Sequence, residues 1–496
     1  MSAPALTQPT VVVPEVTLRI GAERRTAGAG TAEHINPATG RVDAIIPLAG
    51  AAEVDEAVEA ALAGQAAWQA LRGPERAAIL HRLADLIEAN AEEFALRGAL
   101  DNGTPIDMGG AAVAAAGEWT RYYAGWADKV PLGRVAQHAN AGGEFGYTLR
   151  QPYGIIGVII TWNAPLMSLA MKIPPALAAG NAVIVKPSAI TPFCAMLFAD
   201  LAEQAGVPAG VINVLPGDRE AGNRLVRHPK IGKITFTGGP TTAGVIAAGC
   251  LESFKPYTLE LGGKSANIVF EDADLDAAAQ FAAFMSVGLQ TGQGCAFPTR
   301  MLVQRSVYEE VCQKVAAVAA SFVVGDPLSH GVLSGPVVNA AAVERISGMI
   351  ERASAEGARL LTGGSRLGGE LADGYFFAPT VFGDVAPESE LFTQEVFGPV
   401  LSITPFEDEA EAIALSNSTD YGLSGYLWTA DAGRITRITE AMRTGGVMVN
   451  GAQPAGVALP FGGIGLSGVG REGGIEGLEE FLWTKSVAVA VPGGAA

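Results

Sequence analysis

From Gly154 to Glu252 short runs rich in Val and Ile alternate with helical stretches, and this alternation constrains the fold more than any other feature of the chain. The runs are Ile155–Ile160, Ala182–Val185, Val211–Val214 and Lys233–Thr237. Between them Pro165–Ala178 and Thr191–Ala205 are helical in pattern, as is the stretch leading to Glu252. Strand, helix, strand at intervals of roughly 25 residues is the signature of a parallel sheet with crossover helices. Each crossover is expected to be right-handed and to bring successive strand ends to one edge. The expected fold class is therefore α/β.

The flanking segments have a different texture. From Ala52 to Arg97 apolar residues (Val54, Val58, Ala61, then Ile79, Leu83, Ile87) recur at helical spacing, predicting two amphipathic helices divided at Gly73-Pro74. Ala111–Trp126 continues in the same manner. A second αβ series runs from Gly262 to Val449, with helices expected over Asp274–Leu289 and Val307–Val324. Residues 1 to 20, Pro- and Val-rich without periodicity, read as a loosely held tail. Gly143–Arg150 and Phe481–Val491 alternate apolar with small or polar residues, like exposed edge strands. Unpaired edges usually find a partner, and a sheet shared between subunits is favoured here over pairing within the chain.

Composition removes several function classes. A chain of 496 residues suits about two or three domains, each with its own core. With 49% hydrophobic and 17% charged residues, disorder is disfavoured. The net charge of −18 argues against nucleic acid or an anionic membrane surface, since phosphate contact needs clustered Lys and Arg. Four cysteines are too sparse for a disulfide framework, and no Cys-x-x-Cys, His-x-x-x-His or His-x-Glu spacing suggests a metal site. Met1–Ile20 lacks the basic start and apolar core of a secretory leader, and no apolar run reaches the ~18 residues of a membrane span. These absences predict a reduced, soluble, cytoplasmic protein. The 63 glycines are nearly double the usual share of roughly 7% and follow no Gly-X-Y period, so the surplus is expected in turns and close backbone approaches.

Gly463-Ile-Gly465-Leu-Ser-Gly468 fits the Gly-x-Gly-x-x-Gly pattern of dinucleotide-binding turns. Too little chain follows it for the crossover helix, second strand and acidic ribose ligand of that motif, so a tight turn is the better reading. Gly-x-Ser-x-Gly is absent, and a hydrolase elbow has no support. Three other residues stand out. Cys295 lies in Thr291-Gly-Gln-Gly-Cys-Ala296, where glycines expose backbone and leave room for a substrate, whereas Cys194 and Cys312 sit in apolar contexts typical of structural cysteines. Glu260, in Thr258-Leu-Glu-Leu-Gly-Gly-Lys-Ser265, is costly inside an apolar run unless paired or used; a salt bridge to Lys264 or Lys172 is the plain alternative to catalysis. Asn163, in Thr161-Trp-Asn-Ala-Pro165, reads equally well as a helix cap. Taken singly, each admits both readings.

Together they resemble the aldehyde dehydrogenase superfamily, with motifs in family order along nearly the whole chain. Gln151-Pro-Tyr-Gly154 and Trp162-Asn163-x-Pro165 come first, then Val185-Lys-Pro-Ser188 and Phe236-Thr-Gly-Gly239. Glu260-Leu-Gly-Gly-Lys-Ser265 precedes the cysteine segment. Glu395-Val-Phe-Gly-Pro399, Tyr421-Gly-Leu-Ser424, Pro460-Phe-Gly-Gly463 and Ser467-Gly-x-Gly-Arg-Glu472 complete the series. The resemblance implies a Rossmann-like cofactor domain (residues 1–133 and 151–261) and an α/β catalytic domain (262–466). A small β oligomerisation arm with the C-terminal tail (134–150 and 467–496) would serve a homodimer or homotetramer.

The resemblance also implies roles. Cys295 would attack the aldehyde, with the Asn163 amide and the Cys295 N–H stabilising the oxyanion of the thiohemiacetal. Hydride expulsion to the nicotinamide would leave a thioester, which Glu260 would hydrolyse by activating water. Lys172 and Glu472 match positions that relay its proton, a plain ion pair being the alternative. Lys186, with Ser188 and Ala189, would meet the adenosine ribose, and Gly238 and Gly239 would open a helix beside the pyrophosphate. Thr161, Trp162 and Leu261 would line the same cleft. Glu395 would hold the nicotinamide ribose and Phe397 the ring, against the alternatives of a surface salt bridge and a core Phe. Met167, Met171, Phe284, Phe297 and Phe461 would line the substrate pocket, apolar and without an obvious Arg.

A hydrophobic aliphatic or aromatic aldehyde is therefore the expected small-molecule substrate, with a semialdehyde or amino-aldehyde as runner-up. Coenzyme-A acylation is disfavoured, because Glu260 would let water compete for the thioester. A catalytically silent homologue would be expected to have lost Cys295 or Glu260, and both are present. Three departures from the family pattern stand out. Ala189 replaces a Glu that discriminates against a 2′-phosphate, so NAD is expected with NADP admitted. Gly244 falls one position later than usual in the segment after Gly239, and Ile464-Gly465 replaces an aromatic–basic pair near the tunnel mouth.

Overall fold

The Val- and Ile-rich runs form a parallel sheet, as their spacing predicts. A computed structural model describes residues 12–130, 133, 135–137, 144–453 and 456–490. The eight strands of the first sheet lie in the order Gly468–Val469, Tyr257–Glu260, Lys233–Thr237, Ile155–Ile159, Ala182–Lys186, Ile212–Val214, Leu18–Ile20, Glu23–Arg25. From Tyr257–Glu260 to Ile212–Val214 every neighbour is parallel; the flanking strands are antiparallel. The chain starts the parallel part at Ile155–Ile159, builds outward to Ile212–Val214, then returns to the other side with Lys233–Thr237. That reversal makes a switch point between the carboxyl ends of Ile155–Ile159 and Lys233–Thr237, where an open α/β sheet leaves a crevice for a ligand.

A second sheet begins just after Glu260. Its seven strands run in the order Arg359–Thr362, Thr380–Gly383, Val400–Phe406, Arg300–Gln304, Ala266–Val269, Ser424–Trp428, Gly446–Val449. All are parallel except the first pair. The segment Leu261–Ser265 therefore links the two sheets, and the residues at its ends stand between them. The molecule is mixed α/β with two largely parallel sheets.

Several local expectations need correction. The segment from Ala52 to Arg97 lies in three helices rather than two: Ala51–Ala70, Gly73–Ala89 and Ala91–Asn102. Gly73 and Pro74 open the second, where a missing N–H costs nothing. The extra break falls at Asn90, whose backbone leaves helical geometry (φ −106°, ψ 30°) and whose Nδ2 donates back to the Leu86 carbonyl at 2.7 Å. Helical periodicity continues across this break, so apolar spacing does not reveal it. The helix expected over Asp274–Leu289 stops at Ala283, and Phe284–Gly288 form a π-helical turn. The residues read as a loose tail are partly structured, since Leu18–Ile20 is buried beside Ile212–Val214; residues 1–11 lie outside the described ones.

The two expected edge strands pair with each other within the chain, not first with another subunit. Leu482–Ala490 runs antiparallel to Glu144–Pro152 from Leu482↔Pro152 to Ala490↔Glu144, and Val135–Gln137 adds a third strand. Val491 and Gly143 lie outside the described residues. Among the described residues no helix is long and apolar enough to cross a membrane.

Candidate active site

Thr161, Trp162 and Asn163 follow the strand Ile155–Ile159, and Gly238 and Gly239 follow Lys233–Thr237, so the switch point brings the two loops together. They enclose a cavity of about 290 Å³ that Leu261, Cys295, Glu395 and Phe397 also line. Arg345 completes the wall. It belongs to the amphipathic helix Ala340–Ala355, which carries no local motif, and sequence reasoning missed it.

Cys295 reaches this cavity through a strained loop. Gln290, Thr291 and Gly292 have φ of 47°, 54° and 69°, a left-handed run that costs about 1–3 kcal/mol for each non-glycine residue. Tertiary bonds hold it: the Thr291 hydroxyl donates to the Gly335 carbonyl (3.0 Å), and Gln293 Oε1 accepts from Val338 N (3.0 Å). A side chain at Gly292 would overlap the Gly398 carbonyl. Cys295 itself is half-buried. Burial, then the Glu395, Glu260 and Glu472 carboxylates, pushes its thiol up to about 12, partly offset by the Ala296 N–H. Cys194, Cys250 and Cys312 are buried, and none of the four forms a disulfide.

Asn163 does not cap the following helix. Ala164 occupies that position without a side-chain bond, and Pro165 opens the helix. Instead Asn163 Nδ2 donates to the Gln293 carbonyl at 2.8 Å, tying its amide to the cysteine loop.

Glu260 ends the strand Tyr257–Glu260 and is buried, with no hydrogen-bond partner on either carboxyl oxygen. The bridge expected to Lys264 or Lys172 is not formed. Lys172 Nζ pairs with Glu472 and donates to the Thr235 hydroxyl (3.0 Å), while Lys264 Nζ is buried without a partner. Burial above all, and the neighbouring Glu472, hold the Glu260 carboxyl well above the usual carboxylate range, against the pull of Lys172 and Arg471. Gly462 is needed here: a Cβ would stand 2.7 Å from Glu260 Oε1, and its φ is 152°. Within the glycine pattern Gly463–Gly468, Gly465–Ser467 form a 3₁₀ turn leading to the strand Gly468–Val469, which pairs with Leu259 and Glu260.

On the opposite wall Glu395 Oε1 accepts from Gly263 N at 2.9 Å, and burial pushes its carboxyl up to about 7. A Cβ on Gly262 would come within 2.2 Å of Glu395 Oε2, so only glycine lets the carboxylate lie there. Phe397, at φ 50°, meets Trp162 edge-on with ring centres 5.2 Å apart. Arg345 fixes this strained segment by donating to the Val396 and Phe397 carbonyls at 3.2 and 3.3 Å. A second cavity of about 500 Å³ lies against the helix Pro240–Leu251, with Lys186, Asp218, Gly222 and Thr242 in its walls. Burial lowers Lys186 to about 8 despite Asp218 opposite. Ser188 and Ala189, expected beside it, line neither cavity.

The five apolar residues expected around the substrate are not gathered in one cavity. Met167 lines a separate space of about 60 Å³ that also touches Asn163. Met171 sits one turn further along Pro165–Ala178 and packs against the helical core. Phe297 is buried, its ring against Gly294 just before Cys295. Phe284 belongs to the π-helical turn, and Phe461 exchanges backbone hydrogen bonds with Glu472. Apolar character and family position gave no information on how these side chains are shared with the core. Among the described residues no group of His, Cys, Asp and Glu could hold a metal ion.

The sequence matches the aldehyde dehydrogenase family over residues 25–487. A solved structure from Burkholderia cenocepacia, described as a candidate aldehyde dehydrogenase, is 38% identical with a TM-score of 0.94, covering 97% of this chain and 98% of that one. An NADP-dependent enzyme of E. coli is 34% identical (TM-score 0.92; 96% and 98% covered). The betaine aldehyde dehydrogenase of Staphylococcus aureus, solved with NAD+, is 31% identical (TM-score 0.92; 96% and 95% covered). A cysteine-bearing loop facing a switch-point cleft, and a match spanning nearly the full sequence, together mean that the chain belongs to the aldehyde dehydrogenase family.

Proposed function

We propose that the protein oxidises an aldehyde to its carboxylic acid with NAD(P)+ through a thiohemiacetal and a thioester on Cys295. One observation carries the proposal: Cys295 and the tethered Asn163 amide line one cavity between the two sheets, and the partnerless Glu260 carboxyl ends the strand from which the chain enters that cavity's wall at Leu261. The cleft fits a dinucleotide. Its two cavities, of about 290 and 500 Å³, flank the start of Pro240–Leu251, and a Cβ on Gly239 would meet nothing within 4 Å. The N-terminal N–H groups of that helix suit an anion such as the pyrophosphate. Lys186 would hold the adenosine side, and Glu395, Phe397, Thr161, Trp162 and Leu261 the nicotinamide side. Bound there, NAD(P)+ supplies the two-electron acceptor.

The residues of the chain do the rest. The Cys295 thiol gives up its proton to solvent as its Sγ adds to the carbonyl carbon, and the Asn163 Nδ2–H and Cys295 N–H donate to the oxygen as it becomes negative. Losing one such donor typically costs about 2.7–4 kcal/mol of transition-state stabilisation. After oxidation the carbon is a thioester, and Glu260 takes a proton from the water that attacks it. The general-base contribution is typically about 10²–10⁴-fold, and a raised pKa makes Glu260 a stronger base once ionised. Glu472, paired with Lys172, would pass that proton on. The acid leaves and the thiol is restored.

Ala189 in place of an acidic residue supports use of NADP beside NAD, and relatives are known by their descriptions with each nucleotide. Of the five apolar residues Met167 alone lines a mostly apolar space that touches Asn163, and this supports a hydrophobic aldehyde; the betaine aldehyde relative favours an amino-aldehyde as the second reading. Residues 1–133 and 151–261 form the dinucleotide-binding domain of this proposal, 262–466 the catalytic domain, and 134–150 with 467–496 the arm of a cytoplasmic homodimer or homotetramer. Cys295→Ala is expected to abolish nucleotide reduction across an aldehyde panel run with both nucleotides, with melting unchanged. Residual turnover near wild type would overturn the mechanism.

A further inference from the structure

We propose that Asn102 is a positioning residue for the oxyanion donor, and the inference rests on the reading of Asn163 given above. Asn102 ends the helix Ala91–Asn102 and is 5% exposed. Its Nδ2 donates to two consecutive backbone carbonyls, those of Trp162 (3.0 Å) and Asn163 (2.8 Å). Its Oδ1 accepts from Thr104 N (3.1 Å) and the Thr104 hydroxyl (2.7 Å). A primary amide has two N–H donors and two acceptor sites, so the whole capacity of the side chain is used and its orientation is fixed.

Asn163 is thereby clamped from two sides. Asn102, with Gln290 Nε2 at 3.3 Å, fixes its carbonyl, and hence the peptide planes from which the side chain springs. The Gln293 carbonyl holds one Nδ2–H of Asn163, which leaves the other N–H for a substrate oxygen. Gln293 Nε2 donates in turn to the Gln290 carbonyl (3.2 Å), closing a ring of amides between the helix end and the cysteine loop. The helix end cannot drift. The Asp101 carboxylate accepts from Phe193 N (2.9 Å) and Cys194 N (3.0 Å). Gly103 turns left-handed at φ 76° and abuts Pro336, next to the Gly335 carbonyl that anchors Thr291. A small error in donor placement is costly, because an oxyanion hole works by being set before charge develops.

Acylation of Cys295 by p-nitrophenyl acetate in the full-length protein without nucleotide isolates this function, because it passes through an oxyanion. Alkylation by iodoacetamide consumes the same thiol with no oxyanion and serves as the control. Both are read as rate constants, which do not depend on the folded fraction. Asn163→Ala is expected to slow acylation by about 10²-fold. Asn102→Asp, which turns a donor into a carboxylate facing two carbonyls, should slow it by about 10-fold or more. Thr104→Val, which leaves the helix end intact, should give a smaller loss of about 3-fold, with alkylation within about 2-fold in every variant. Added to Asn163→Ala, Asn102→Asp should cost less than about 3-fold further. Equal losses of acylation and alkylation, or full multiplicative effects in the double variant, would overturn the role of Asn102. An unchanged acylation rate in Asn163→Ala would instead remove the oxyanion reading of Asn163, and this proposal with it.

Discussion

The thiol on which the proposed chemistry depends is held far from its reactive form in the free protein. Burial is the largest cause, and the Glu395, Glu260 and Glu472 carboxylates add to it, raising the Cys295 thiol to about 12. A raised thiol pKa means less thiolate at any given pH, so reactivity must climb as protons are removed. Below the pKa each pH unit changes the thiolate fraction by about tenfold, and the thiolate is the nucleophile. Alkylation of Cys295 in the free protein, followed by mass spectrometry from pH 7 to 9, is therefore expected to accelerate about tenfold per unit without levelling. A plateau within that range would show that a nearby group activates the thiol before any ligand binds. The nearby Glu260, itself raised by burial, is an anion when ionised and then only disfavours the thiolate, which fits a site that awaits its cofactor.

Helices and loops show how much was legible in the sequence and where legibility stopped. The strand Ile155–Ile159 was readable because burial on both faces selects a near-continuous Val and Ile run, and Lys233–Thr237 because its Ile, Phe and β-branched Thr residues suit a buried strand. Cys295 and Glu260 stand out in the sequence because their glycine neighbours serve local backbone approaches. The break at Asn90 and the π-helical turn at Phe284–Gly288 were not, because each is set by backbone geometry within an unbroken apolar pattern. Arg345 and the true partner of the Asn163 amide depend on elements remote in sequence. Asp101 has the same character. The helix Phe193–Ala205 begins at Pro192, which offers no capping side chain, and Asp101 supplies the missing acceptor to two N–H groups from a different helix. Asp101→Ala leaves both donors buried and unpaired, so urea unfolding at pH 7 should show a loss of about 2 kcal/mol with an unchanged slope. A loss below about 0.5 kcal/mol would mean that water replaces the carboxylate.

At the scale of the whole molecule, two surfaces point to the proposed homo-oligomer. Among the described residues, the sheet formed by Leu482–Ala490 and Glu144–Pro152 has an outer edge at Leu482–Ala490, with Trp483 and Val489 exposed. Along and just beyond the helix Pro240–Leu251, Val245, Leu251 and Phe254 are 54%, 60% and 89% exposed. Phe254 also has φ 52°, an unfavourable backbone state for a bulky residue, so a strained turn presents an aromatic ring to water. A second copy that covers this patch would offset that cost. Each copy carries a net charge of −18, however, so apolar burial works against long-range repulsion. Salt screens the repulsion over about 10 Å at 0.1 M and leaves apolar contact almost untouched, so association should tighten as salt rises from about 0.02 to 0.2 M. Replacing Leu251 and Phe254 by Glu removes apolar area and adds charge, and light scattering should then find a smaller species, most clearly at low salt. A wild-type chain that is monomeric at every concentration and ionic strength would overturn this reading. A double variant of unchanged mass would move the interface away from the helix and onto the arm.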